Sequence, residues 1–142
     1  KLICIGKSNS KSFDSEINKY TNRINSFINF SIIHFNNSKL IGEKIKILKK
    51  NEELIFLLDE NGNEYNSLEF ANFIQKKNNL GFKNLTFIIG DHSGFPKLII
   101  DSFKNKIALS KMTFSHQMIR LFFCEQLYRA ITIINNHPYH NN

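Results

Sequence analysis

The chain has 142 residues, with 19 lysines and arginines against 12 aspartates and glutamates, a formal charge of +7, and 42% apolar and 22% charged residues. That is one domain with enough apolar surface for a core, so neither disorder nor a disulfide or metal staple is expected. No apolar run approaches the ~20 residues of a membrane helix, and Lys1, four apolar residues and then Gly6-Lys7 make no leader pattern.

Leu2-Ile3-Cys4-Ile5, stopped at Gly6, predicts a short buried strand. Ser12 is the expected cap of a helix whose stripe is Phe13, Ile17, Tyr20, Ile24 and Phe27, with Lys, Asn, Glu and Arg opposite. Phe30 to Phe35 predicts a second strand, broken at Asn36-Asn37-Ser38. Ile41, Ile45 and Leu48 predict a short helix ending at Lys49-Lys50. Leu54 to Leu58 has no polar interruption, the pattern of a strand covered on both faces, and Asn61-Gly62 reads as the turn after it.

Asn66 with Glu69 resembles a capping box for a helix through Leu68, Ala71 and Ile74. Leu85 to Ile89 is a fourth strand, stopped at Gly90. Pro96 opens a helix through Leu98, Ile99 and Phe103, and Ile107-Ala108-Leu109 is a brief fifth strand. The longest helix starts at Thr113 or Ser115 and runs to about Ile134, before the polar tail His137-Pro138-Tyr139-His140. Alternating strands and helices predict an α/β fold: one domain over 1–142, a mostly parallel sheet, helices on both faces. Ligands of such sheets bind at the C-terminal ends of the strands, here Gly6, Leu58, Gly90 and the run after Leu109.

The loop Gly90-Asp91-His92-Ser93-Gly94 lets a ligand approach backbone, but it is neither a GxGxxG nor a P-loop. Leu109 to His116 offers hydroxyls, backbone amides and an apolar floor, which suit an adenosine-type ligand as well as they suit an ordinary capped loop. The last helix is apolar on nearly every side, so a partner subunit is its expected second cover. His116 and Arg120 share one of its faces, and Glu125 and Arg129 another, the latter reading as a surface ion pair or as an arginine held for an anion. Cys4 and Cys124 lie far apart in apolar runs and read as buried free thiols in a reducing cytoplasm. No metal is expected, because the tail histidines lack a nearby cysteine or carboxylate and Asp59 to Asn63 lacks calcium-loop spacing. The positive charge suits an RNA partner, yet A·T-biased codon usage would also enrich lysine.

Ala108 to Arg120, then Glu125-Gln126-Leu127-Tyr128-Arg129-Ala130, then Asn136-His137-Pro138-Tyr139-His140 resemble the RlmH family. These are the large-subunit pseudouridine N3-methyltransferases of the SPOUT superfamily. Lys1 to Lys7 and Ile88-Ile89-Gly90 match as well. The resemblance implies a SPOUT fold with a C-terminal trefoil knot, a homodimer, S-adenosyl-L-methionine as cofactor, and a pseudouridine of 23S rRNA on the assembled 70S ribosome as acceptor. It implies cofactor contacts at Leu58, Gly90, Leu109, Ser110, Lys111, Met112, Thr113 and Phe114. It gives Arg129, Tyr139 and His140 to catalysis and His116, Arg120 and His137 to the RNA. Lys7, Lys11, Lys19 and Arg23 are candidates for outer phosphate contacts.

Two positions depart from the family pattern: Asp91 stands where glycine is frequent, and Ser115 where proline is common, which loosens the loop before the last helix. They leave room for a non-catalytic ribosome-binding module beside the enzyme reading. A SPOUT methyltransferase acting at another RNA site is the third possibility.

Overall fold

Apolar runs without polar interruption become strands buried on both faces, and the alternation of side chains along them divides the core in two. In the computed structural model, which describes residues 1–6, 10–36, 41–51 and 53–140, β1 (Leu2–Ile5) is wholly buried. Leu2 and Cys4 point to one core, Ile3 and Ile5 to the other. The remaining strands are β2 (Ile32–Phe35), β3 (Leu54–Glu64), β4 (Leu85–Ile89) and β5 (Lys106–Ala108). They form one sheet in the order β2-β1-β4-β3-β5, and every described pairing is parallel.

The larger core joins the sheet to α1 (Lys11–Asn25), α3 (Ser67–Asn79) and α5 (His116–Ile134). Phe87 of β4 meets Phe123 of α5 with ring centroids 4.8 Å apart. The smaller core covers the opposite face with α2 (Ile41–Lys50) and α4 (Lys97–Ser102). The doubly covered α/β sheet is therefore as expected. Both arms of the predicted capping box are present: Glu69 N–H donates to Asn66 Oδ1 at 2.9 Å, and Asn66 N–H to Glu69 Oε2 at 2.8 Å.

Three local expectations change. Ser10, not Ser12, occupies the N-cap of α1. β2 begins at Ile32, because the Phe30 amide is taken by Asn25 Oδ1 at 2.8 Å. Of the predicted break after it, Asn37 and Ser38 lie outside the described residues. Asn61-Gly62 does not end β3: the strand bulges between Leu58 and Asn63, and Ile107 of β5 pairs with both of those residues. A Cβ on Gly62 would stand 2.5 Å from the Ile107 nitrogen, so the glycine serves close passage of two backbones.

Because the strands are parallel, the C-terminal end of β1, the loops after β4 and β5 and the bulge of β3 gather at one edge of the sheet. The apolar excess of α5 is only partly absorbed within the chain. Met118, Ile119 and Leu121 stay half-buried and Phe122 is exposed. Cys4 and Cys124 are free and buried, and burial pushes their thiols up to about 11 and about 12. Among the described residues, no helix is long and apolar enough to cross a membrane.

Candidate active site

Two loops build a cleft of about 870 Å³ at the C-terminal edge of the sheet. The first follows β4. Gly94, at φ +76°, turns this loop back on itself, and its N–H donates to the Asp91 carbonyl at 2.8 Å. A Cβ on Gly90 would stand 2.8 Å from the Gly94 carbonyl carbon, so glycine is required there too. The Asp91 carboxylate accepts the Ser93 N–H at 2.8 Å. It closes its own loop, which accounts for an acidic side chain at this position.

The second loop follows β5. Ser110 Oγ accepts the Met112 N–H at 2.9 Å, and the Thr113 hydroxyl donates to Glu60 Oε2 at 3.0 Å, tying the loop to the bulge of β3. Among the described residues, no backbone–backbone hydrogen bond involves Lys111, Thr113 or Phe114. Their amides and carbonyls remain as donors and acceptors along the loop.

Seven of the eight expected cofactor positions line this cleft: Leu58, Gly90, Leu109, Ser110, Met112, Thr113 and Phe114. Lys111 is the exception: its side chain is 82% exposed and reaches Glu64 at 3.5 Å. Leu58, Ile89, Leu109, Phe114 and Ile119 give the cleft an apolar floor. Its size, and an apolar floor rimmed by polar groups such as Asp59, Glu60, Asp91, Ser110 and Thr113, suit a nucleoside-sized ligand.

A second cleft, of about 620 Å³, shares Ile107, Leu109, Ser110 and Phe114 with the first and is also lined by Glu125. Glu125 is the centre of a polar cluster. Its Oε1 accepts Arg129 Nη2–H at 2.6 Å, Arg129 Nε–H at 3.0 Å and the Tyr139 hydroxyl at 3.1 Å. Arg129 also donates through Nη1 to His140 Nδ1 at 3.2 Å and stacks over the Tyr139 ring at 4.8 Å. The three expected catalytic residues are thus brought together by a fourth, Glu125, whose pairing with Arg129 was visible in sequence only as helical spacing.

The chemistry of the cluster follows from its hydrogen bonds. Arginine only donates, so His140 Nδ1 accepts and neutral His140 carries its proton on Nε2, which is buried without a partner. The Tyr139 phenol is held well above its ordinary range by burial, by its bond to Tyr20 at 3.4 Å and by the Glu125 charge. The Glu125 hydrogen bond pushes the Arg129 guanidinium up, so it stays cationic. The cluster fixes a cation, Arg129, against the Glu125 carboxylate, with its donor hydrogen bonds turned inward.

The expected RNA residues separate. His137 is exposed in the tail and meets the Phe27 ring edge-on at 6.1 Å. His116 borders the cofactor cleft, and burial, followed by the Arg120 charge, lowers its imidazole below the ordinary range. Arg120 is 2% exposed and donates to the carbonyls of Ile5 at 3.2 Å and Gly6 at 3.1 Å. A buried guanidinium tying α5 to the end of β1 is not a surface contact, which corrects its assignment to RNA. Lys7 lies outside the described residues. Among those residues, no group of three or more His, Cys, Asp or Glu side chains could hold a metal ion.

Residues 1–140 match a family model described as a predicted SPOUT methyltransferase. The chain is 43% identical over 153 residues to the ribosomal RNA large subunit methyltransferase H of Christiangramia forsetii, covering 99% of this chain and 98% of that one. It is 44% identical over 154 residues to the protein of that name from Cytophaga hutchinsonii, with 99% and 98% covered. Among solved structures it resembles the SpoU methyltransferase AviRb of Streptomyces viridochromogenes, in complex with AdoMet, at a TM-score of 0.53 and 8% identity, covering 96% of this chain and 58% of that one. The TrmH/SpoU tRNA modifying enzyme of A. aeolicus gives 0.52 at 13% identity, covering 99% and 80%. At such identities these structures bear on the fold alone.

Proposed function

The chain belongs to the SPOUT methyltransferases, with relatives named ribosomal RNA large subunit methyltransferase H, and on that premise we propose that it methylates large-subunit ribosomal RNA. The observation that carries the reading is the shared wall of the two clefts: Leu109, Ser110 and Phe114 line both the nucleoside-sized site and a second cleft that reaches Glu125, the residue on which Arg129 and Tyr139 are held. The acceptor in this proposal is N3 of a pseudouridine in 23S rRNA on the assembled ribosome. Leu58, Gly90 and the Leu109–Phe114 loop would hold S-adenosyl-L-methionine, whose sulfonium would supply the methyl group, its sulfur electron pair being kept by the neutral thioether product.

Methylation of an imide nitrogen replaces an N–H bond by an N–C bond, so one proton must depart. Neither Tyr139 nor His140 offers a vacant basic atom, and of the Glu125 carboxylate only Oε2, which accepts the Gln126 Nε2–H at 2.8 Å, has a lone pair to spare. Tyr139 is kept protonated, His140 Nδ1 is occupied by Arg129, and Glu125 Oε1 already accepts three hydrogen bonds. The cluster therefore works electrostatically. The cationic Arg129 favours the ionised imide, and the proton passes to water in the open cleft.

Three further features belong to the same proposal. The C-terminal segment is threaded as a trefoil knot. Two copies pair through the apolar surplus of α5, supported by half-buried Met118 and Leu121 and exposed Phe122. The enzyme acts in the cytoplasm, which suits two buried free thiols.

The test is to incubate the protein and S-adenosyl-L-methionine with purified 70S ribosomes or free 23S rRNA and to identify the methylated nucleoside by mass spectrometry. N3-methylpseudouridine formed in the ribosome alone supports the proposal. Another methylated nucleoside moves the site, and cofactor binding without methylation of either substrate sinks the enzyme reading.

A further inference from the structure

The tail packs against α1 through three tyrosines, with one guanidinium at each side. Arg129 lies over Tyr139 at 4.8 Å, and Tyr139 meets Tyr128 at 4.7 Å between ring centroids. Tyr128 meets Tyr20 at 6.1 Å, and Arg23 lies 5.7 Å from each of those two rings. The two arginines differ in what they do with their N–H edges. Those of Arg129 are spent on Glu125 and His140. Arg23 is exposed and makes no ion pair or side-chain hydrogen bond among the described residues.

At 5.7 Å from both ring centroids, the Arg23 guanidinium is held by cation–π attraction, which takes none of its N–H donors. The planar donor fork matches the two oxygens of a phosphate. Contact with two rings also restrains the side chain, so less rotamer freedom is lost on binding. Beside it the same surface carries Phe27, 38% exposed, whose ring lies 6.4 Å from Tyr128 and 6.1 Å from His137. An arginine with free edges next to an exposed aromatic pair is the chemistry that grips single-stranded RNA. A protein carboxylate would use the arginine but leave the aromatic pair idle, and the chain's +7 charge favours a polyanion.

We infer that Arg23, Phe27 and His137 form an RNA subsite, with Arg23 holding a backbone phosphate and the Phe27–His137 pair receiving a neighbouring unpaired base. The inference rests on the reading that the adjacent Arg129 cluster acts on RNA. It gives α1 a positioning role: the subsite sits on the three-tyrosine wedge that also supports Arg129, so RNA held there is in register with the reacting cluster.

The experiment compares the wild type, Arg23→Ala, Arg23→Lys and a distant control, Lys76→Ala, on purified 70S ribosomes. It measures methylation kinetics, ribosome binding against salt, and S-adenosyl-L-methionine affinity by calorimetry. Arg23→Ala should raise KM for ribosomes about tenfold with kcat within about twofold, and should lower the log–log salt slope of binding by about one. Arg23→Lys should restore little, because an ammonium neither stacks nor binds bidentately. The control and the cofactor affinity should not change. An unchanged KM, a fall in kcat alone, a fall in cofactor affinity, or an altered oligomeric state in sedimentation each overturns the subsite. If the wild type binds ribosomes without methylating them, the functional reading fails and the binding arm decides the subsite by itself. If it does neither, both are wrong.

Discussion

Glu125 holds Arg129 through a single carboxylate oxygen, which accepts Nη2–H at 2.6 Å and Nε–H at 3.0 Å. That grip fixes the plane of the guanidinium and turns Nη1 toward His140. The same oxygen accepts the Tyr139 hydroxyl, so one carboxylate on a helix orders a tail more than ten residues downstream. Without it, Arg129 would keep its charge but lose its direction.

Glu125→Gln should therefore cut kcat for ribosome methylation by about 10- to 100-fold, the cost of losing charge-assisted hydrogen bonds. Affinity for S-adenosyl-L-methionine should hold, because Glu125 does not line the larger cleft. Single-turnover rates and calorimetry on the same preparation check both halves. A kcat within about threefold of wild type would remove Glu125 from the working cluster.

His116 predicts how stability depends on pH. It opens α5, where the helix dipole disfavours a positive charge. Burial, then the Arg120 charge and to a lesser degree His92, lower its imidazole, while Asp91 opposes the shift. The folded value therefore lies below the unfolded value of about 6.5, and the unfolded chain binds the proton more readily. This contribution to stability is complete above about pH 6.5 and is lost as pH falls toward the folded value. Thermal unfolding across this window should show a falling Tm that His116→Gln flattens. An equal pH slope in both proteins would show that His116 does not carry the effect.

Gly62→Ala probes the bulge of β3. The added methyl would stand 2.5 Å from the Ile107 nitrogen and 2.6 Å from the Lys106 carbonyl carbon, both backbone atoms. Relief requires moving β5 away from β3, so a loss of about 1–3 kcal/mol is expected from overpacking. β5 also leads into the Leu109–Phe114 loop, so cofactor affinity should fall with it. Urea unfolding and calorimetry measure the two, and neutral stability would mean that β5 is held less closely than the structure places it.

That glycine also shows where reading the sequence stops. Leu54 to Leu58 is legible as a buried strand because its signal is local. Asn61-Gly62 carries a local turn signal as well, but pairing with Lys106–Ala108, more than 40 residues on, overrides it. Arg120 misleads for the same reason: its helical spacing to His116 suggests a polar face, and only the tertiary approach of β1 buries it. The cleft was legible because parallel strands deliver their loops to one edge. Glu125 was half-legible, since the spacing to Arg129 is visible while the return of Tyr139 and His140 is not. In the sequence Tyr20 reads as helix stripe and Arg23 as surface charge or an outer phosphate contact, because their contacts with Tyr128 and Tyr139 exist only once α1 and α5 pack.

Ser115 is the position where a substitution should strengthen the protein. It caps α5 at φ −64° and ψ 150°, and its side chain makes no cap hydrogen bond. Its carbonyl accepts the Ile119 N–H at 3.0 Å, a bond that proline at 115 would keep. Proline fixes φ near −65°, so Ser115→Pro matches the native backbone and restricts chiefly the unfolded chain. The expected gain is about 0.4–1 kcal/mol, which raises Tm by roughly 1–3 °C. The same restriction holds Phe114 extended, pre-ordering the loop that walls the cleft, so affinity for S-adenosyl-L-methionine should be kept or improved. A lower Tm in calorimetry would mean that the Ser115 N–H or the backbone of Phe114 is needed in a conformation proline forbids.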